Sequence, residues 1–461
     1  MMKRALILLM LLTACTVGPD YEQPAFFDDK ALEQSLDLKP TAAKAPEISY
    51  LAFQDKTLNK LLEEAMRQAP TVRIALTRLK QARASLSIQK VAGLPTIDAS
   101  GKYNYVKESR NLGLVYDEDT YQVGLDASWE IDIFGSIRRQ TEAAAANARA
   151  AVANLQNVYV SLAAEVADQY ISYRTAEQLL NNAQENLKLQ SDIYQTVRVK
   201  FEAGLADEMT LDQAGYAVQT TQMQIPEYQT QKEESANALA LLLGRLPGDL
   251  KHELAGGRNL TAKRFQYNLA HLFELPASVV RDRPDVKAAE ESLIAQNALV
   301  GAAIADLYPK VSLSGLLGFE SFHMRDLLKK RSWTYSYAPE ISLPIFHWGA
   351  LKNNVALQEA KKEEELVTYQ QTLLQAAHEI KNAMTAIQNE YRRNTSAERA
   401  FRQMDNVLSL TRGKYEQGLV EMSDVLDAEL RRLSAQNDWV NSNAAIYQNI
   451  IQFYKATGTV Q

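Results

Sequence analysis

The sequence predicts a mainly α chain with a few strands that become a transmembrane β-barrel only when several copies combine. Three observations predict it. Residues Ser136–Ala203 and Ala350–Arg412, stretches of 68 and 63 residues, contain neither glycine nor proline. The chain aligns with itself when moved by 214 residues, so it is built from two copies of one unit. Two segments in each copy alternate apolar and polar residues with a period of two. The 461 residues are 46% hydrophobic with a formal charge of −6, which excludes a disordered tail and argues against a nucleic-acid binder. A single cysteine excludes a disulfide framework and a cysteine metal cage.

Residues 1–14 read as a signal peptide. Lys3 and Arg4 precede the apolar run Ala5–Leu12, and small residues lead to Cys15. Eight apolar residues are too few to span a bilayer, which needs about 20. Leu12-Thr13-Ala14-Cys15 resembles the lipobox of bacterial lipoproteins, which implies a diacylglycerol on the Cys15 thiol and an acylated new N-terminus. Several acyl chains give firm anchoring where one is marginal. Residue 16 is Thr, not the Asp that resembles an inner-membrane retention signal, so the expected address is the outer membrane. Residues 15–54 are then a lipid-anchored, extended N-terminal segment.

The first repeat is expected over 55–244, with hairpin 95–134, long helix 136–203 and helix 207–243. A linker, 245–283, follows. The second repeat, 284–461, has helix 285–306, hairpin 309–346, long helix 350–412 and helix 421–456. Pro70 falls on Pro284, Pro95 on Pro309, Gly135 on Gly349 and Gly244 on Gly458. At 1.5 Å per residue each long helix is about 95–100 Å. Val166, Tyr173, Leu180, Leu187, Tyr194 and Phe201 repeat every seven residues, and Ile380, Ile387, Asn394, Phe401, Leu408 and Tyr415 do the same in the second copy. A strict heptad means left-handed coiled packing. The shorter helices before and after each hairpin unit sum to nearly one long helix, so each repeat gives two staves.

In Tyr121–Ile133 every odd position is apolar and no even position is apolar beyond glycine. The odd positions of 97–105, 311–319 and 335–343 continue the pattern, with aromatics (Tyr103, Tyr105, Tyr121, Trp129, Trp333, Tyr335) near strand ends. The expected arrangement puts the apolar face toward lipid and the polar face around water. Four strands cannot close a barrel, and an open edge in lipid is forbidden. Two chains would give eight strands and three would give twelve; periodicity does not choose.

The motifs Cys15-Thr16-Val17-Gly18-Pro19-Asp20-Tyr21, Ala92-Gly93-Leu94-Pro95, Trp129-Glu130-Ile131-Asp132-Ile133-Phe134-Gly135, Arg283-Pro284-Asp285-Val286 and Pro344-Ile345-Phe346-His347-Trp348-Gly349 together identify a family. The chain resembles a TolC-like outer-membrane factor. It is most similar to the NodT-type lipoprotein branch that serves RND (resistance-nodulation-division) tripartite efflux systems. The resemblance covers nearly the whole mature chain. It implies a homotrimer with a twelve-stranded barrel and a twelve-helix periplasmic tunnel. It also implies a periplasmic adaptor and an inner-membrane RND-type transporter as partners, outer-membrane lipid around the barrel, and no cofactor. Two departures stand out: Asp282 precedes Arg283 where the family has a second arginine, and the first tip reads Asp207-Glu208-Met209-Thr210 with a carboxylate at Asp212 instead of Ser-x-Leu-Asp.

Asp424 and Asp427, three apart, share one helix face. Their positions match the aspartates that line the family's periplasmic aperture, so threefold symmetry would stack two carboxylate rings there. Gly204 and Gly418 are expected to end the long helices in left-handed geometry, leaving Leu205 and Leu419 exposed for an adaptor. Enzyme motifs are missing: the five histidines are scattered, without HExxH, GxSxG, Walker A or GxGxxG elements. The expected function is a passive exit duct. A protein-secretion duct of the same fold and a periplasmic coiled-coil scaffold lipoprotein are the alternatives.

Overall fold

The computed structural model describes residues 16–26, 29–36, 55–107, 111, 117–256, 275–276 and 278–458. The signal segment and Cys15 lie outside the described residues, as do 37–54 of the N-terminal segment and 257–274 of the linker. In chain order the helices and strands are α1 (Asp29–Leu36), α2 (Lys56–Gln68), α3 (Pro70–Val91), β1 (Thr96–Lys107), β2 (Asp117–Ile131), α4 (Ser136–Glu202), α5 (Glu208–Leu243) and α6 (Lys251–Leu254). Then follow α7 (Ser278–Asp282), α8 (Pro284–Ala305), β3 (Lys310–Ser321), β4 (Trp333–Ser342), α9 (Ala350–Glu416) and α10 (Met422–Thr457). Four pairs of elements, α3/α8, β1/β3, α4/α9 and α5/α10, stand 214 residues apart at both ends.

The chain forms two compact units, each drawing on both repeats. One takes Met1–Pro24, Arg78–Val152 and Ala288–Gln370; the other takes Ala25–Thr77, Ala153–Lys287 and Gln371–Gln461. The first unit holds an antiparallel sheet of order β1-β2-β3-β4. Odd residues pair only with odd residues: Ile97 with Ala127, Leu125 with Leu317, Leu317 with Tyr335. One face is therefore apolar across all four strands, up to the end where Lys107, Asp117, Asp119 and Ser321 take over the odd positions. Beside the sheet, Ala143 and Ala146 of α4 meet Ala295 and Ala298 of α8 in a small-residue core that lets the helices approach closely.

The second unit is a helical coil whose core follows the heptads. Val166, Tyr173 and Leu180 are buried, as are Leu162, Ala176, Ala183, Gln190 and Val197 of the companion seam. In α9 the heptad residue Asn394 is buried and donates to Asn443 Oδ1 of α10 at 2.9 Å. A paired asparagine in an apolar seam fixes register, because a slipped helix would strand both amides. End-to-end stacking of the short helices is visible at two equivalent joints. Gly244, after α5, abuts Pro70 of α3, and Gly458, after α10, abuts Pro284 of α8.

Among the limits that differ from the sequence reading, those of two elements stand out. The second long helix does not stop at Arg412; α9 runs through Gly413 to Glu416. Glycine inside a helix costs only about 1 kcal/mol, and coil packing on both sides of it outweighs that. The strand read as Tyr121–Ile133 starts earlier, at Asp117, and ends at Ile131. Asp132 is not a polar-face strand residue. Its carboxylate accepts from the backbone N–H groups of Ile137 (3.2 Å) and Arg138 (2.8 Å), capping α4.

Candidate functional site

The even face of the sheet is the candidate bore. It carries Asp98, Lys102, Asp126, Glu130, Glu320 and Glu340, interspersed with serine, threonine and glycine. Asp98 stands directly opposite Asp126, and Ser312 lies between Glu130 and Glu340. Facing carboxylates repel, so they fit a wall wet enough to screen them. The odd face exposes Ile97, Tyr103, Leu125, Leu317, Trp333, Tyr335 and Ile341. A contiguous apolar surface of that kind is unstable in water and natural in hydrocarbon. Among the described residues no helix is long and apolar enough to cross a membrane.

Where β2 gives way to α4, the N-terminal segment is clasped in place. Val17 N–H donates to the Phe134 carbonyl at 3.2 Å. The Arg139 guanidinium, 5% exposed, donates to the carbonyls of Val17 (3.3 Å) and Gly18 (3.1 Å) and pairs with Asp20 (2.7 Å) and Glu142 (2.8 Å). Burial opposes its charge, but the bonds to Asp20 and Glu142 outweigh burial and hold its pKa above the usual arginine value. Gly18 has φ +91° and lies so close to Gly301 that a Cβ would sit 2.4 Å from the Gly301 Cα. Only two facing glycines fit there. Asn297 donates to the Pro19 carbonyl at 3.0 Å, and Tyr21 donates to Glu290 at 3.2 Å. Thr16, next to Cys15, packs on Gly135. This clasp has no signal in the sequence beyond the Gly18-Pro19-Asp20 turn residues, because Arg139 acts across more than a hundred positions.

In the other unit lie the tips. Gly204 (φ +71°) and Gly418 (φ +72°) both take the left-handed conformation. Gly204 N–H donates to the Phe201 carbonyl and Leu205 N–H to Lys200; Gly418 N–H donates to Tyr415 and Leu419 N–H to Lys414. These are paired Schellman ends. Leu205 and Leu419 are left 78% and 67% exposed. Lys200 Nζ donates to Tyr415 Oη at 2.6 Å, tying the two tips.

Beyond the first tip, Asp207 caps α5 by accepting from Thr210 N–H at 2.8 Å, and the Thr210 hydroxyl together with that backbone N–H holds its carboxyl below the ordinary range. Beyond the second tip, Glu421 and Asp424 form a reciprocal capping box on α10. Asp427 is exposed and pairs with Arg431 at 2.8 Å. Asp424 and Asp427 share the outer face of α10, while Val425, Leu426 and Ala428 turn inward against the coil. Sequence reasoning missed Glu429. It is 1% exposed and 3.3 Å from Arg412. Burial pushes its pKa up, and Arg412 and Arg432 pull the other way. Nothing in a sequence pattern marks a lone glutamate on a polar-looking stretch as buried.

Comparison with known proteins fits this geometry. The outer membrane efflux protein family model matches twice, over residues 61–245 and 275–459, one match per repeat. The chain belongs to the outer membrane efflux protein family. The solvent efflux pump outer membrane protein SrpC of Pseudomonas putida is 30% identical over 463 residues, covering 98% of this chain and 96% of the relative. Nodulation protein T of Rhizobium leguminosarum bv. trifolii is 28% identical, covering 91% and 89%. Among solved structures, the outer-membrane channel OprN superposes with a TM-score of 0.88 at 30% identity, covering 96% of this chain and 99% of that one. OprN is an outer-membrane channel, and SrpC is the outer membrane protein of a solvent efflux pump. In this family's fold three chains each add four strands to one barrel. That accounts for a sheet whose outer strands, β1 and β4, have open edges. A periplasmic scaffold lipoprotein would not need such a sheet.

Proposed function

We propose that this chain is the passive exit duct of a tripartite efflux pump, anchored by lipid at Cys15 and closed at its periplasmic end by rings of Asp424 and Asp427. The observation that carries the aperture is the placement of both carboxylates on the exposed face of α10 while Val425, Leu426 and Ala428 are buried behind them. Three copies around an axis turn that face into two stacked rings of three carboxylates. Such rings attract cations and narrow the passage. The capping box holds Asp424, and Arg431 pairs with Asp427 on the exposed face of the same helix.

The paired tips support a docking role. Leu205 and Leu419 are large apolar side chains held out by identical turns. An adaptor that grips them would relax the coil behind the aperture. The duct supplies no energy, so an inner-membrane transporter of the RND type is the expected motor. The clasp around Arg139 supports Cys15 as the anchor, because it fixes Thr16, the next residue, beside the strand-to-helix junction at the end of the sheet.

The test is single-channel conductance in planar bilayers. Asp424→Ala with Asp427→Ala raises conductance if the rings constrict the path. Unchanged conductance removes both residues from the aperture. Co-purification of an adaptor and transporter, lost with Leu205→Asp and Leu419→Asp, tests the tips.

A further inference from the structure

The sheet has two unlike ends. At one end β3 follows α8 and β4 leads into α9, so the turn of that hairpin, residues 322–332, lies at the other. In this family's fold the helices stand in the periplasm, which puts the turn at the outer surface of the outer membrane. It carries Arg325, Lys329, Lys330 and Arg331 against one carboxylate, Asp326, a formal charge of +3 in a chain of −6. The same positions one repeat earlier, 108–118, carry Arg110 against Glu108, Asp117 and Glu118, a charge of −2. The duplicated hairpin therefore does not need a basic turn.

The turn is firmly built. Two single turns of 3-10 helix, Met324–Asp326 and Lys330–Ser332, fold it back on itself. Buried Asp326 is the hub. Its carboxylate pairs with Lys329 and with Arg331 (2.8 Å), and its carbonyl accepts from the Ser332 hydroxyl (2.7 Å). Arg325 and Lys330 are exposed, and among the described residues no carboxylate pairs with either. Glu118 and Asp119, exposed at the same end of the neighbouring strand β2, leave both cations unpaired.

Among the cations stand Phe322, Met324 and Leu328, all large and exposed. Water alone gives no reason for them. Directly after the turn comes Trp333, on the odd, lipid-facing side of β4, where it meets Phe319 edge-on with ring centroids 5.5 Å apart. Aromatic rings at that level mark the boundary between hydrocarbon and headgroups. Cations and apolar side chains interleaved at the rim of a hydrocarbon face match the headgroup layer of an anionic leaflet.

We propose that the turn 322–332 binds the phosphate groups of the glycolipid in the outer leaflet, lipopolysaccharide. Arg325 can offer two parallel N–H donors to one phosphate, and Lys330 adds a point charge. Phe322, Met324 and Leu328 enter the layer where sugars meet acyl chains. The Asp326 hub holds the backbone in shape beforehand, so little order is lost when the headgroup docks. The duct would then be held at both leaflets, covalently through Cys15 on the periplasmic side and by charge at its mouth. This inference rests on the outer-membrane duct and adds the lipid its mouth selects.

The test titrates fluorescently labelled lipopolysaccharide into purified full-length trimers in neutral detergent. Arg325→Gln with Lys330→Gln leaves the Asp326 hub intact and should raise the Kd roughly 30-fold, about fivefold for each cation. Arg325→Lys with Lys330→Arg keeps both charges and should bind like the wild type. Lipopolysaccharide stripped of its phosphates should bind the wild type as weakly as the intact lipid binds the glutamine variant. Equal affinity of wild type and glutamine variant, or indifference to the phosphates, overturns the proposal. So does full displacement of the lipid by inorganic phosphate at constant ionic strength, which would make the turn a free-anion site. Glutamine-variant trimers that fall apart would assign the cations to a contact between copies and overturn it too. A wild-type chain that forms no trimers in the outer membrane overturns the duct, and this inference with it.

Discussion

The two repeats share a backbone and differ in side chains at both ends of the long helix. At the tips, Asp424, Asp427, Glu429, Arg431 and Arg432 of the second repeat stand where the first has Thr210, Gln213, Gly215, Ala217 and Val218. At the strand-to-helix junctions, Asp132 and Arg139 of the first repeat stand where the second has Phe346 and Asn353. Both turns keep the same glycine geometry and the same hydrogen bonds. Duplication thus preserved what the coil needs and left the ends free to specialise. One junction holds the N-terminal segment and the other is exposed; the helix beyond one tip carries paired charges where the helix beyond the other has uncharged residues.

Substitutions at equivalent positions sharpen or break that contrast. The largest effect is expected from Arg139→Ala, which strips the clasp: the Val17 and Gly18 carbonyls lose a charged donor, while Asp20, 90% exposed, returns to water. Each hydrogen bond to a charged group contributes about 1.5–3 kcal/mol, and the loss is read as a lower thermal midpoint and as new protease cuts within 16–26. Asn353→Ala, at the exposed equivalent position, should cost far less; equal losses would show that the junctions are not specialised. Next come Gly204→Val and Gly418→Val. Each forces a β-branched residue into the left-handed region at about 1–2 kcal/mol, and the two losses should match because the turns do.

A smaller effect is expected from Glu429→Gln. The folded-state pKa of Glu429 is raised, so its proton binds more tightly in the folded coil. The resulting stability is fully present below the unfolded carboxylate pKa and is lost as pH rises through the folded value. The wild-type thermal midpoint should therefore climb on acidification just above the ordinary carboxylate range, and Glu429→Gln should flatten that slope. An unchanged slope would assign it to other groups. The smallest change is Gly413→Ala. A Cβ there meets nothing within 4 Å, and its counterpart is Val199. The gain should be about 0.5–1 kcal/mol; a loss would mean that α9 needs a flexible point there.

What was legible in the sequence was whatever repeats. Heptads placed the buried stripe of α4, period-two alternation placed both faces of the sheet, and a constant offset placed the turn glycines. What was illegible was whatever breaks a repeat or acts at long range. Asp132 continues the strand alternation in sequence, yet it caps a helix, because alternation does not report where a strand ends. Gly413 reads as a stop, yet packing carries the helix past it. Arg139 and Glu429 look like ordinary surface charges until the chain that covers each is in place.

Both long helices have 67 residues, and equal length works as a ruler. Deleting one residue from either would shorten it by about 1.5 Å and turn everything beyond the cut by about 100°. The tip beyond would then show the wrong side to its sisters. Only losses or gains of about seven residues, made in both rods at once, keep the same stripe inward. Such a gene can therefore drift freely in spelling while being nearly frozen in length.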